Sequence, residues 1–472
     1  MQARIEAGVV HSPYPYNPRA HDASAYGLLW DKLASHGSKT ALICGDEKLT
    51  YGELREKVLH SAAKFRRQGI GKGDRLYVHI GNSIDSFVAV CSVPLTGASL
   101  VSSDIMWRED DIVDKIEKSN ATHVLTDVIY AEMFARITNR CKIKKTFLVG
   151  ERRSGLDSGL GLCNNNESHC EIDIFDTGDG KLVTWTTAPD GASKDLEIPL
   201  DRFLAQTTSL VDAQMLTSDD AFLGDINISF LLILSFWILA LHQGSVILIS
   251  RTCHAVPFDV FDAVKDFKEV TIVSFASRMK QILNFIKTSD NSDIQLKKSL
   301  RRIILFGSST PPELAKELAS TFQLKDLRSW YGMNEAGGFL TVPPNGDVSG
   351  IDVGFPVPGV RMKQVNPMQP SCSESSLREH RSLRWFSGGL ASSFCDAAAA
   401  HMALSAQKVG YATGDSLELD ASKASVVMRS CAMVCYSSAV LSYDSIGYTG
   451  RVSAEDIAIP VLMVAEYRTM DA

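Results

Sequence analysis

Three short runs carry residue types that could do chemistry. The first is VTWTTAPDGASK, residues 183–194, a β-branched run entering a small, hydroxyl-rich turn that ends in Lys194. Such a turn can cradle a phosphate, because backbone N–H groups and hydroxyls converge on its oxygens and the lysine adds charge. It is not a G-x-x-x-x-G-K-[ST] loop. The second is SWYGMNEAGG, residues 329–338, which sets an aromatic ring and a carboxylate at the end of a strand. An aromatic face can stack on a purine, and a carboxylate oxygen suits magnesium. The third is GYATGD, residues 410–415, where Asp415 in a glycine turn could accept bonds from two hydroxyls of a ribose. Each run taken singly also reads as an ordinary surface turn or strand end.

These runs need elements to hold them. Lys39–Cys44 and Leu49–Tyr51 read as a strand pair around a turn at Gly45. Thr50 then caps a helix, with Glu53 three residues on in capping-box register, and Gly69 stops it. After a strand at Arg75–Ile80, helices at Ile84–Gly97, Asp110–Ser119 and Ala131–Cys141 alternate with extended runs at Ala98–Ser103, Thr122–Thr126 and Thr146–Val149. Alternation resumes with helices at Phe258–Phe267, Ser277–Lys287 and Glu313–Thr321 and strands at Val270–Val273, Arg302–Leu305 and Leu327–Tyr331. This order predicts a parallel sheet covered on both faces. Such sheets bind ligands at their carboxyl edge, where the second run falls. Residues 151–180 are Ser/Asn/Gly-rich and expected in a surface loop, strands beyond Gly350 are expected to be antiparallel, and after about Asn366 the periodicity fades.

Composition narrows the class. A chain of 472 residues allows two to four domains at roughly 150 residues each. With 45% hydrophobic and 22% charged residues it is neither disordered, collagenous nor a disulfide scaffold. A net charge of -7 gives no basic field to attract nucleic acid. The ten cysteines have no zinc-finger spacing, so reduced thiols are expected. There is no apolar signal segment at the start and no S-K-L at the end, so the expected location is cytoplasmic. Ile226–Ser250 carries no Asp, Glu, Lys or Arg. A span needs about 20 apolar residues, and Gln243-Gly244 interrupts this one, so a buried helix, turn and strand are expected. No transmembrane span is expected, and peripheral membrane contact stays open.

In their order and spacing the three runs resemble the adenylate-forming superfamily of acyl-CoA synthetases, beetle-type luciferases and 4-coumarate–CoA ligases. The resemblance extends from about residue 28 to 436. LTYGEL (49–54), GIGKGDR (69–75), Asn82-Ser83, LFGSS (305–309) and VGFPVPG (353–359) are similar to further signatures of that family. It implies an α/β fold: a large N-terminal domain of α/β/α layered sheets with a smaller β-rich subdomain over residues 1–427, then a residual, incomplete C-terminal α+β domain over 428–472. It also implies roles. Tyr331 would stack on adenine, flanked by Gly332 and Asn334, and Glu335 would act in catalysis and hold Mg2+. Lys194 would also act in catalysis and, with Thr186, Thr187 and Gly191, would meet the phosphates. Gly307 and Ser308 would line the nucleotide site, and Asp415 and the hinge-like Arg429 would reach the ribose. Asn227, Ser277 and Ser309 would wall the acid pocket. The implied reaction takes ATP, a small-molecule carboxylic acid and coenzyme A. The carboxylate attacks the α-phosphate to give acyl-AMP and pyrophosphate, and the thiol then displaces AMP.

The chain departs from that pattern where phosphate would bind. The family's S-S-G-T-T-G-x-P-K-G aligns on residues 186–195, with Ala188 for the first glycine and Pro189 and Asp190 for the two threonines. Pro189 offers no N–H. Asp190 sets a carboxylate near phosphate oxygens, at a cost of about 4 kcal/mol for a pair about 4 Å apart at an effective dielectric near 20, roughly a thousandfold in affinity. The family's pocket His falls on Asn227, and the small-domain catalytic Lys run is not found before Ala472. Two expectations follow: an acyl-CoA synthetase whose activity is weak or lost, or a catalytically inactive pseudoenzyme that binds an acyl ligand or a protein partner. The fading pattern after residue 366 adds a third, a truncated gene product.

Overall fold

The computed structural model describes residues 3–6, 9–15, 25–150, 180–187, 193–212, 216, 218–230, 233–250, 258–288, 293–350 and 352–365, with the strands Ser416–Asp420, Ser425–Ser430 and Leu462–Tyr467. Two mixed sheets dominate it. The first has seven strands in the order Asp326–Ser329, Leu300–Phe306, Val270–Phe275, Ala221–Gly224, Val246–Leu248, Thr40–Cys44 and Glu47–Thr50. The second has six, in the order Ser193–Pro199, Lys181–Thr187, Ser99–Val101, Arg75–His79, His123–Asp127 and Lys145–Val149. Neighbours run parallel except for the hairpin at one end of each sheet.

Side chains alternate faces along every inner strand, and both faces are buried. In the first sheet Phe222, Ile247, Val273, Ile304 and Phe306 point into one core, while Leu223, Leu248, Ile272, Ile303 and Leu305 point into another. In the second sheet Leu76, Val78, Leu100, Leu125 and Leu182 enter that same first core, and Tyr77, Val101, Val124 and Val183 enter a third. The period of two makes this inevitable once both faces are covered. The shared core is filled by helices Ala25–His36, Tyr51–Arg67, Ile84–Ser92, Leu200–Asp212 and Ile233–Gln243. Helices Ala276–Thr288 and Pro312–Phe322 cover the first sheet outside, and Glu109–Lys118 and Ala131–Thr138 cover the second. The result is the expected α/β layering.

Local chemistry sets the boundaries. Thr50 and Glu53 form the expected capping box: the Thr50 side chain accepts from Glu53 N, and Thr50 N donates to Glu53 Oε2 at 2.8 Å. The helix expected over Ile84–Gly97 ends at Ser92 and continues as a 3-10 turn, Pro94–Thr96. Pro94 has no N–H to extend the ladder. The strand expected over Leu327–Tyr331 divides at Trp330: Asp326–Ser329 stays in the first sheet, and Tyr331–Met333 joins an antiparallel one. The charge-free run resolves into helix Ile233–Gln243, a turn at Gly244 and strand Val246–Leu248, and no helix among the described residues is long and apolar enough to cross a membrane.

The β-rich part comprises two antiparallel sheets. One orders Tyr331–Met333, Gly338–Val342, Asp352–Pro356, Ser425–Ser430 and Ser416–Asp420. The other orders Arg4–Glu6, Val9–His11, Val360–Val365 and Leu462–Tyr467. The strand Ser425–Ser430 spans the expected division at 427/428.

Candidate functional site

The carboxyl edges of the two large sheets meet at one turn, residues 225–230. Two asparagines make the joint, each reaching across to backbone that flanks the other. Asn82, just past the Arg75–His79 strand, donates from Nδ2 to Ile226 O at 3.0 Å and accepts at Oδ1 from Ile228 N at 2.8 Å. Asn227, just past Ala221–Gly224, donates from Nδ2 to Ile80 O at 3.0 Å and accepts at Oδ1 from Ser229 N at 2.8 Å. Ser229 O accepts from Ser102 Oγ at 2.7 Å and Ser103 N at 3.0 Å. Asn227, expected to wall the acid pocket, is thus built into the joint between the sheets. Beside it the buried Asp225 carboxylate takes the Arg278 Nε–H at 2.9 Å, which ties helix Ala276–Thr288 to the same edge. Ser277, also expected in the pocket, is exposed. One residue on, the helix turns Arg278 inward.

The strand Lys181–Thr187, which carries the first run, is parallel to Ser99–Val101, so its carboxyl end reaches the same edge. The returning strand pairs Lys194 with Thr186 and Ser193 with Thr187. Lys194 is exposed. Gly191, like Ala188, Pro189 and Asp190, lies outside the described residues, as does Asp415.

The second run packs against the first. Asn334 opens a 3-10 turn, Asn334–Ala336, and its Nδ2 donates to Trp185 O at 2.7 Å. Tyr331 is buried in the shared core. Gly332 is required by close approach, because a Cβ there would lie 2.6 Å from Gly338 O. Glu335 sits on the same 3-10 turn; its side chain, with those of Thr187 and Arg429, lies outside the described part of the structure. Arg429 is in the strand Ser425–Ser430.

Gly307 ends the Leu300–Phe306 strand with φ +85, a conformation that favours glycine. A Cβ there would stand 2.9 Å from the Phe275 ring. Phe275 in turn contacts Phe306 at 4.8 Å and Phe230 at 6.2 Å between ring centroids. Phe306, Phe236, Trp330 and Phe339 continue this aromatic wall. Ser308 and Ser309 follow Gly307 and are half-buried. The edge therefore sets half-buried hydroxyls and backbone groups beside the aromatic part of the shared core.

Residues that the sequence did not single out also shape this edge. Gln206 Nε2 donates to Phe339 O at 2.7 Å and holds the Gly338–Val342 strand to helix Leu200–Asp212. Lys115, 6% exposed, lies over the Trp185 ring at 4.5 Å. Burial lowers its pKa, with Asp114 opposing. On the second sheet His79 Nδ1 lies 2.9 Å from Ser103 Oγ, and burial pulls its imidazole down to about 4, so the ring is neutral near pH 7. Asp127 is pushed up to about 6 by burial, with the Gly81 N–H opposing. No sequence pattern announces these contacts, since each partner is far away along the chain.

Comparison with known proteins agrees with this geometry. A family model described as AMP-binding enzyme matches residues 29–374. A medium/long-chain-fatty-acid–CoA/3-oxocholest-4-en-26-oate–CoA ligase from Mycobacterium marinum is 31% identical over 130 residues, 26% of this chain and 24% of that protein. Tyrocidine synthase 3 from Brevibacillus parabrevis is 29% identical over 105 residues, 22% of this chain and 2% of that protein. The chain spans about a quarter of the length of the curated CoA ligases it matches. Among solved structures, a long-chain-fatty-acid–CoA ligase from Archaeoglobus fulgidus superposes with a TM-score of 0.64 at 17% identity, covering 77% of this chain and 74% of that one. A benzoate CoA ligase from Burkholderia xenovorans gives a TM-score of 0.61 at 15% identity, covering 73% and 68%. The family match, the ordered motifs and the layered sheets agree, and the chain belongs to the AMP-binding enzyme family, within the adenylate-forming superfamily.

Proposed function

We propose that the chain binds an adenine nucleotide and a carboxylic acid at the joined carboxyl edges of its two large sheets. Its reaction is ATP-dependent activation of a fatty or aromatic acid to acyl-AMP and then acyl-CoA, weakened by its phosphate loop. The observation that carries this reading is the Asn334–Trp185 bond, which brings the adenine-stacking run against the phosphate-loop strand. The CoA ligases among the similar proteins support the substrate class.

In this reading Tyr331 stacks on adenine beside Gly332, and Asp415 and Arg429 hold the ribose. Thr186, Thr187, Gly191 and Lys194 meet the phosphates, and Gly307, Ser308 and Ser309 border the acid. The acid's carboxylate oxygen attacks the α-phosphorus and pyrophosphate leaves; a coenzyme A thiol then attacks the acyl carbon and AMP leaves. Magnesium takes oxygen ligands and keeps several from phosphate and water. Glu335 is the carboxylate that would hold the ion, and the ion would neutralise phosphate charge.

A second reading, a pseudoenzyme that binds an acyl ligand or protein partner, is favoured by one observation, Pro189-Asp190 in the phosphate loop. ATP–pyrophosphate exchange with a panel of fatty and aromatic acids separates the two. Exchange that depends on one class of acid supports the ligase. No exchange with any acid, while acid binding persists by calorimetry, leaves the pseudoenzyme.

A further inference from the structure

Trp185 stands just before the proposed phosphate loop and is held from three directions. Its indole Nε1–H donates to Ser102 O at 2.8 Å, which fixes it to the carboxyl edge of the second sheet. Its own carbonyl accepts from Asn334 Nδ2 at 2.7 Å. Its ring lies under the Lys115 ammonium at 4.5 Å, and Trp107 meets it edge-on at 6.3 Å. Lys115 also stands 5.6 Å from the Trp107 ring and 3.7 Å from Asp114. A lysine this enclosed on the helix Glu109–Lys118 is unusual, since a surface helix ordinarily points lysine to water. Cation–π attraction strengthens when the cation is desolvated.

We propose that Lys115 and Trp185 are positioning residues for the phosphate loop. Lys115 acts through the indole, and the indole sets the strand from which the loop departs. A phosphate cradle works by holding its N–H groups in place before the ligand arrives. Pro189 leaves this loop one N–H fewer to offer a phosphate. The inference rests on the nucleotide reading above, and it adds residues from an element, the Glu109–Lys118 helix, that touches no proposed ligand.

The test is Lys115→Met, which keeps the stem and removes the charge. ATP and AMP affinities are measured by calorimetry, and amide exchange is followed over the hairpin 181–199. The variant is expected to weaken ATP about tenfold, equivalent to about 1.4 kcal/mol, and to change AMP by less than about twofold, because AMP lacks the phosphates the loop would hold. Hairpin amides are expected to exchange faster, while those of helix Tyr51–Arg67 do not. In a Trp185→Leu background the same substitution should add little, since the partner ring is gone. ATP and AMP weakening together, or unchanged hairpin exchange, would overturn the proposal. A wild-type chain that binds no ATP removes the nucleotide reading, and the exchange arm then decides alone whether Lys115 steadies the strand. Trp185→Phe, which keeps a ring but loses the N–H, gives the same readouts should Lys115→Met not fold.

Discussion

Replacing Asn227 by alanine tests whether the joint between the sheets has been read correctly. Asn227 is 4% exposed, and its amide works in both directions. Removing it takes a donor from Ile80 O, which keeps the Ser229 hydroxyl at 2.9 Å. That loss is worth about 1 kcal/mol, the usual net value of one hydrogen bond. It also takes the acceptor from Ser229 N, whose residue is fully buried. An unsatisfied buried amide costs about 1–3 kcal/mol. The sum is about 2–4 kcal/mol. Urea unfolding followed by far-UV circular dichroism should show that loss. Any acid binding that the wild type displays should keep its order of preference. Stability within about 0.5 kcal/mol of wild type, together with a changed preference among acids, would refute the reasoning and return Asn227 to the pocket.

Three further outcomes follow from particular residues. Gly307→Ala should destabilise by about 1–3 kcal/mol from the strained backbone alone, and adding Phe275→Leu should recover only the part due to the ring, both read by urea midpoints. Thr50→Ala removes the cap of helix Tyr51–Arg67 and should cost about 1 kcal/mol, whereas Thr50→Ser should cost little. His79 has its folded pKa lowered from 6.5 to about 4 by burial, so the unfolded state binds the extra proton. Its contribution is fully present above pH 6.5 and is lost on the way down to pH 4. Between pH 7 and pH 5 that loss is about 2 kcal/mol. Asp127 and Asp326, pushed up to about 6 by burial, act in the opposite sense over the same window, so the comparison is between wild type and His79→Phe. The stability advantage of wild type over that variant should shrink by about 2 kcal/mol from pH 7 to pH 5.

Most strands of the two large sheets, and the helices between them, were legible because their signals are local. Ile272-Val273 and Ile303-Ile304 display the continuous apolar runs of doubly buried strands, Thr50 with Glu53 displays a cap, and Gln243-Gly244 displays a turn within an apolar run; the central strand Ala221–Gly224 was not among the strands expected. Two of the three runs singled out by their residue types, 183–194 and 329–338, are brought together by the structure at Asn334 and Trp185. What stayed hidden depends on partners distant in the chain. Lys115 sits in EDDIVDKIEK, which reads as an amphipathic surface helix; only the arrival of Trp107 and Trp185 makes it a buried cation. Asn227 in an apolar stretch reads as a pocket residue, and its commitment to Ile80 appears only when the second sheet is placed beside the first. Ser277 and Arg278 exchange importance for a geometric reason: consecutive helix residues point about 100° apart, and the inward one is the arginine that meets Asp225.

The measurement that bears most directly on the central claim is a calorimetric titration of Mg-ATP into wild type and into the double variant Pro189→Thr/Asp190→Thr. If the scaffold binds the nucleotide and the loop opposes it, the double variant should bind ATP more tightly by up to roughly a thousandfold, from the removed like-charge pair, with AMP affinity changed far less. Equal ATP affinity in the two proteins would contradict the account.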